Sequence, residues 1–276
     1  MAKQCTSPIH PRQPDGSFLT VPCGRCKNCL SRRRDSWGFR LKQELKRSTS
    51  AHFVTLTYDE STVPMVDDIP VLHKPDLQKF MKLLRHKSNN KLKYYAIGEY
   101  GDHTMRPHYH LILYNLTPPA APQLTAELEI IKSWKKGHVK VGPVTNGRIY
   151  YVVSYLFKKK HTPLEEFKPF SVMSKGLGDN YIDVIRKQQD RDDANPYFCV
   201  EGAKKIPMPR YYTNKLYSPE SRASHARECE RKAVMRSPPE PEYGTVEFDE
   251  DLRQKWLKAC VNSDQNEIQK NHKQKI

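Results

Sequence analysis

His108 and His110 stand two residues apart in RPHYHLILY, Arg106 to Tyr114, a run rich in strand-forming side chains. On a strand, alternate residues share a face, so both imidazoles project together while Tyr109, Leu111 and Leu113 go to the other side. Two imidazoles on one face can share one metal ion. Glu99 follows another apolar run, Lys93 to Gly98, and it can approach the histidines if the two runs pair across the turn-rich GEYGDHTMRP. Two histidines and a carboxylate leave open positions for water and a phosphate oxygen, which is what a Lewis-acid site for Mg²⁺ or Mn²⁺ requires.

A second group lies in YYVVSYLFKKK, Tyr150 to Lys160. On a helix Tyr151, Tyr155 and Lys158 share one face, at spacings of four and three. A phenol with pKa of about 10 is a poor nucleophile at neutral pH, and it needs a metal to polarise the phosphate and a cation to help it ionise. Alone, HYH also describes two surface histidines, and the tyrosine segment an ordinary amphipathic helix. Only their combination points to phosphodiester chemistry.

Cys23, Cys26 and Cys29 form a third cluster in CGRCKNC. Thiols so close in sequence cannot close short disulfides without strain, whereas two-residue gaps suit tetrahedral Zn²⁺, with Cys5 as the fourth ligand. The expectation is a structural zinc staple. Its alternative is a turn with unliganded thiols.

These residues need elements to position them. The opening thirty residues, rich in Pro, Gly and Cys, read as a loop knot. Arg32 to Arg47 reads as a basic helix with Trp37, Leu41 and Leu45 inward and Arg34, Arg40, Lys42 and Lys46 outward. His52 to Tyr58 reads as a buried strand and Pro75 to Leu84 as an amphipathic helix. Strands at 93–98 and 108–114, a helix at 127–135, a strand at 138–141 and a helix at 150–159 complete an order β-α-β-β-α-β-α. That order predicts an α+β fold, an antiparallel or mixed sheet with helices packed on one face. The domain expectation is a Cys-rich knot plus basic helix over 1–48, a core over 49–218, and a polar, partly helical tail over 219–276.

The chain of 276 residues carries a formal charge of +16, and the excess lies before Pro219, where 36 basic residues face 20 acidic ones. Between Ile130 and Lys160 there are eight Lys or Arg and no acid. Such one-sided charge suits a polyanion whose counterions are released on binding. Arg32, Arg33, Arg34, Arg40, Arg106, Lys159 and Lys160 are the candidate DNA contacts. The sequence shows no run long and apolar enough for a membrane span, no secretory signal and no G-x-x-x-x-G-K-[ST] phosphate loop, which predicts a cytosolic protein with no nucleotide triphosphate site.

HFVTLTY, RPHYHLILY and YVVSYLFK occur here in the order found in the HUH endonucleases, which the chain resembles. More narrowly, VPCGRCKNC, GEYG, SKGLGDNYI and IPMPRYY are similar to the replication initiators of gokushovirus-type microviruses, over roughly Cys5 to Tyr212. The resemblance implies a ferredoxin/RRM-like core and rolling-circle replication of viral DNA in the cytoplasm of a bacterial host. It implies that a tyrosine nicks origin DNA, keeps the 5′ end as a phosphotyrosine and frees a 3′-hydroxyl. His108 and His110 match the metal histidines, Glu99 lies near the third ligand, and Tyr151 and Tyr155 match the paired tyrosines. A host helicase and DNA polymerase are the implied partners, with single-stranded and origin DNA as substrate. Ser154 departs from the basic residue usual before the second tyrosine, leaving Lys158 as the motif lysine. The competing readings are a plasmid-type initiator or relaxase with the same chemistry, and a non-catalytic, zinc-stapled single-strand-binding protein.

Overall fold

The computed structural model describes residues 5–14, 16, 18, 20–88, 91–102, 104–119, 121–155, 162–189, 198–202, 204–236, 250 and 253–255. Helix α1 (Lys27–Arg47) precedes β1 (Ala51–Thr57), the short pair β2 (Met65–Val66) and β3 (Ile69–Pro70), and α2 (Lys74–Lys87). The hairpin of β4 (Lys93–Tyr100) and β5 (Pro107–Tyr114) follows, then α3 (Gln123–Trp134), β6 (Val139–Pro143), α4 (Asn146–Tyr155), β7 (Phe170–Met173) and α5 (Tyr181–Gln189). Contacts divide the chain into two compact units, residues 37–187 and residues 1–36 with 188–276.

In the unit of residues 37–187, five strands form one sheet in the order β6-β1-β5-β4-β7, antiparallel at every pairing. The α+β class is as expected, but the helices pack on both faces rather than one. Val54, Leu56, Ala96, Tyr109, Leu111 and Leu113 on one face join Leu77, Phe80, Met81 and Leu84 of α2 and Ala126, Ile130 and Trp134 of α3. Tyr95, Ile97, Ile112 and Tyr114 on the other join Leu41 of α1 and Ile149, Val152, Val153 and Tyr155 of α4. The reason is in the central strands: β4 and β5 are buried almost throughout instead of alternating, the signature of a sheet covered on both sides.

A polar network sits within the α2/α3 layer. The hydroxyls of Tyr58 and Tyr109 lie 2.8 Å apart, and Tyr58 donates to Asp76 Oδ2 at 3.0 Å. Tyr109 donates to the His73 carbonyl at 3.0 Å and accepts from the His73 amide at 3.1 Å. A buried hydroxyl or carboxylate is costly unless paired, so these bonds fix where Tyr109 can sit.

Arg40 does not project outward as the helical spacing suggested. It is 8% exposed, donates through Nε and Nη2 to the Leu177 carbonyl at 3.1 and 2.9 Å, and lies over the Trp37 ring. A guanidinium satisfied this way braces the loop before α5 and is not presented to a phosphate.

The other unit contains the N-terminal residues, α1 up to Ser36, the hairpin β8 (Phe198–Glu201) and β9 (Lys204–Pro207), α6 (Arg210–Leu216) and α7 (Pro219–Arg236). The first residues form a loop with isolated bridges Ile9 to Val21 and Arg12 to Phe18, as the Pro/Gly-rich composition suggested. Among the described residues, no helix is long and apolar enough to cross a membrane.

Candidate active site

Cross-strand register builds the metal group. His108 pairs with Thr57 on one side and Glu99 on the other, and His110 pairs with Thr55 and Ile97. Directly paired residues share a face, so Glu99, His108 and His110 all lie on the α4 side. The turn from Gly101 to Arg106, closed by the Gly101 amide on the Arg106 carbonyl at 3.0 Å, sets this register.

Glu99 Oε1 lies 2.8 Å from His108 Nε2 and 3.1 Å from His110 Nε2. The other ring nitrogens are already engaged. His108 Nδ1 lies 3.1 Å from the Arg106 carbonyl, which can only accept, so the proton sits on Nδ1 and the Nε2 lone pair faces Glu99. His110 Nδ1 lies 3.0 Å from Thr55 Oγ1. Glu99 is fully buried, and its Oε2 has no hydrogen-bond partner. A buried carboxylate with an orphaned oxygen, facing a nitrogen lone pair, is short of a positive charge. The donor set therefore fits a divalent cation, with outer bonds that orient the rings as metal-bound histidines require.

Helix α4 brings the tyrosines to this group unequally. Tyr151 is 42% exposed, and its hydroxyl lies 3.4 Å from His110 Nε2. Tyr155 is 7% exposed, its ring 5.3 Å from that of Tyr151 and 6.4 Å from His110. Burial of its hydroxyl end, and after it the Glu99 carboxylate, hold the Tyr151 phenol well above the ordinary tyrosine value. Without a compensating cation this phenol stays protonated. Lys158, Lys159 and Lys160 lie outside the described residues.

Arg106 spans two acceptors, the Glu60 carboxylate and the Tyr58 carbonyl, the latter at 2.6 Å. In the N-terminal unit, Arg33 is exposed, Arg32 donates to Cys29 Sγ at 3.5 Å, and Arg34 donates to Ser31 Oγ at 3.3 Å. The thiols of Cys5, Cys23, Cys26 and Cys29 all lie within 4.8 Å of one another, with Cys5 3.5 Å from Cys23 and 3.8 Å from Cys26. Those separations are far beyond a disulfide bond.

Sequence reasoning missed Thr55, Phe53 and Arg148. Phe53 stacks on His110 with ring centroids 5.5 Å apart and stands edge-on to Tyr151. The readable signal for Thr55 was its place in an alternating strand next to the histidine strand. Arg148 stands three residues before Tyr151, one helical turn away.

The family of Replication-associated protein ORF2 matches residues 51–160, which hold the metal group and both tyrosines. The chain is 29% identical to Replication-associated protein ORF2 of Spiroplasma virus 4 over 219 residues, 71% of this chain and 68% of that protein. It is 30% identical to Replication-associated protein ORF4 of Chlamydia phage 1 over 156 residues, half of this chain and 38% of that one. It is 28% identical to Replication-associated protein VP4 of Bdellovibrio phage phiMH2K over 216 residues, 70% of this chain and 66% of that one. The chain thus spans about two thirds of the first and third of these relatives and well under half of the second. No solved structure matches. By its matched segment and by these relatives, the chain belongs with the replication-associated proteins of microviruses, and residues 51–160 are the segment it shares with the ORF2 family.

Proposed function

We propose that the chain is a replication initiator that nicks origin DNA through Tyr151 and later rejoins the displaced strand. The observation that carries this reading is the half-exposed Tyr151 hydroxyl at 3.4 Å from His110, one of three residues fit to hold a cation. Glu99, His108 and His110 would hold Mg²⁺ or Mn²⁺, which when bound supplies Lewis-acid polarisation of the scissile phosphate. The Tyr151 oxygen loses its proton and forms a bond to phosphorus, while the bond from phosphorus to the 3′-oxygen breaks. That oxygen takes up a proton and leaves as a 3′-hydroxyl, and the 5′ end stays on Tyr151 as a phosphotyrosine. Bond energy is conserved, so attack by a new 3′-hydroxyl restores the DNA and frees the tyrosine. Tyr155, the more buried phenol, serves the second transfer of the cycle, and Lys158 is the cation assigned to the phenols. The freed 3′-hydroxyl primes a host polymerase, and unwinding falls to a host helicase, since the sequence has no phosphate-loop motif.

The test incubates the purified chain and Mn²⁺ with labelled single-stranded oligonucleotides tiled across the origin of its own replicon. Tyr151→Phe is expected to abolish the first covalent adduct and Tyr155→Phe to keep it. Adduct formation by Tyr151→Phe overturns the assignment. Salt-sensitive binding with no adduct from the unaltered chain would instead support a non-catalytic single-strand-binding protein.

The four thiols support a structural Zn²⁺ beside this reading. A tetrahedron of Zn–S bonds of about 2.3 Å has sulfur–sulfur edges of about 3.8 Å, close to the 3.5 and 3.8 Å between Cys5 and its neighbours. Burial alone would raise the Cys26 thiol, but the backbone amides of Cys29 and Thr6 outweigh it and pull the thiol down to about 5, so one ligand is a thiolate even before metal enters. Elemental analysis is expected to find one zinc per chain, lost in Cys23→Ser. Stoichiometric absence of zinc with freely reactive thiols would remove the site.

A further inference from the structure

Arg148 is held rigidly beside the nucleophile, and three contacts hold it. Its Nη1 donates to the Pro143 carbonyl at 2.6 Å, and its guanidinium carbon lies 5.1 Å from the centroid of the Phe53 ring. It crosses Gly142 so closely that a Cβ there would collide with Nη1. Phe53 in turn stacks on His110 and abuts Tyr151, so one aromatic ring links the cation to the metal group and the nucleophile.

This cation has capacity to spare. A guanidinium carries five N–H donors, and Pro143 takes one. Among the described residues no carboxylate pairs with Arg148, which is half-buried, and neither β1 nor the segment from Ile130 to Lys160 contains an acid. A rigid, unpaired guanidinium has already lost its side-chain entropy and presents a planar fork matched to two phosphate oxygens.

Register gives the direction of approach. Lys140 pairs with Thr55, which pairs with His110, and Gly142 pairs with Phe53. Two neighbouring rows of the sheet thus run from the metal group across β1 to β6. They end on exposed Lys140 and on the guanidinium over Gly142.

We infer that Arg148 clamps a backbone phosphate of the bound single strand next to the scissile one, with the strand crossing β1 toward β6. This rests on the proposed nicking reading for its substrate, and its own readout is binding. Arg148 takes the place near the nucleophile that sequence patterning assigned to a lysine three residues after Tyr155, but from the opposite end of α4.

The test uses the full chain carrying Tyr151→Phe, so that cleavage does not blur binding, and a labelled single-stranded DNA followed by fluorescence anisotropy over a salt series. Arg148→Gln is expected to weaken binding by about tenfold, as for loss of a charged hydrogen bond. The slope of log affinity against log salt should flatten by about 0.7, one phosphate contact on a single strand. Arg148→Lys should restore the slope but not the full affinity, because a point charge replaces a fork. Gly142→Ala should weaken binding with Arg148 present and add little in Arg148→Gln. Unchanged affinity and slope in Arg148→Gln, with an unchanged melting curve, overturns the inference. So does weakened binding in Arg148→Gln that Arg148→Lys leaves with the same flattened slope. Failure of the unaltered chain to form an adduct bears on the nicking reading alone, since the salt slope decides Arg148 without cleavage.

Discussion

The ring of Tyr150 lies against Gly38, so close that a Cβ on residue 38 would come within 2.8 Å of Tyr150 Cε1. The same ring carries Lys42, whose ammonium is 4.7 Å from its centroid and 3.3 Å from its hydroxyl. The fit of α1 against α4 is therefore set by the absence of one carbon, next in sequence to Tyr151. Gly38→Ala is expected to cost about 1–3 kcal/mol by overpacking. It should also slow nicking by more than the lowered melting temperature would explain, because α4 must shift. Thermal melts and single-turnover cleavage, measured together, check this.

Glu99→Gln should uncouple stability from metal binding. The carboxylate leaves one buried oxygen without a partner, whereas an amide NH₂ can donate to an imidazole nitrogen in the same space. The metal-free variant is expected to melt higher than the metal-free parent, by an amount consistent with about 1–3 kcal/mol for satisfying a buried polar group. The rise in melting temperature on adding Mn²⁺ should vanish. Calorimetric melts with EDTA or Mn²⁺ give both quantities.

Thr55→Val removes the hydroxyl on His110 Nδ1 while keeping the strand shape. Outer partners of metal-bound histidines are worth about 10–100-fold in metal affinity or activity. We expect Mn²⁺ titrations to show a loss in that range, with single-strand binding in EDTA unchanged.

His52 should make the fold acid-sensitive. Burial holds its imidazole neutral below the ordinary value of 6.5, and Nε2 faces Thr117 Oγ1 at 3.3 Å. As pH falls below 6.5 the unfolded chain takes up a proton first, so this contribution to stability is intact above that pH and declines below it until the folded state also protonates. Denaturant unfolding between pH 7 and pH 5, values chosen to bracket the titration of about 6.5, should show a shallower pH slope in His52→Gln than in the parent.

Local pattern carried much of this from the sequence. The strand at 51–57, the helix at 74–87 and the histidine strand follow from periodicity, and Glu99 was readable because a hairpin needs only a turn and two apolar runs. Pairwise geometry was not readable. The helical spacing that turned Arg40 outward is silent about Leu177, 137 positions away, whose carbonyl draws the guanidinium inward. Equal spacing made Tyr151 and Tyr155 equivalent, and only the packing of α4 on the sheet separates an exposed phenol from a buried one. Strand β7 is four residues long and helix α5 nine, too short for their periodicity to stand out from the surrounding loops.

Tyr109 sits between the two histidines in the chain and points into the opposite layer, where Tyr58, Asp76 and His73 hold its hydroxyl. A slip of β5 by one position would swap the sides: both imidazoles would enter the apolar layer and the phenol would face Glu99. The tyrosine network is thus a ratchet tooth for the strand. The wet chemistry on one side of the sheet is kept in step by a bond between two hydroxyls on the dry side, in residues that never meet the DNA.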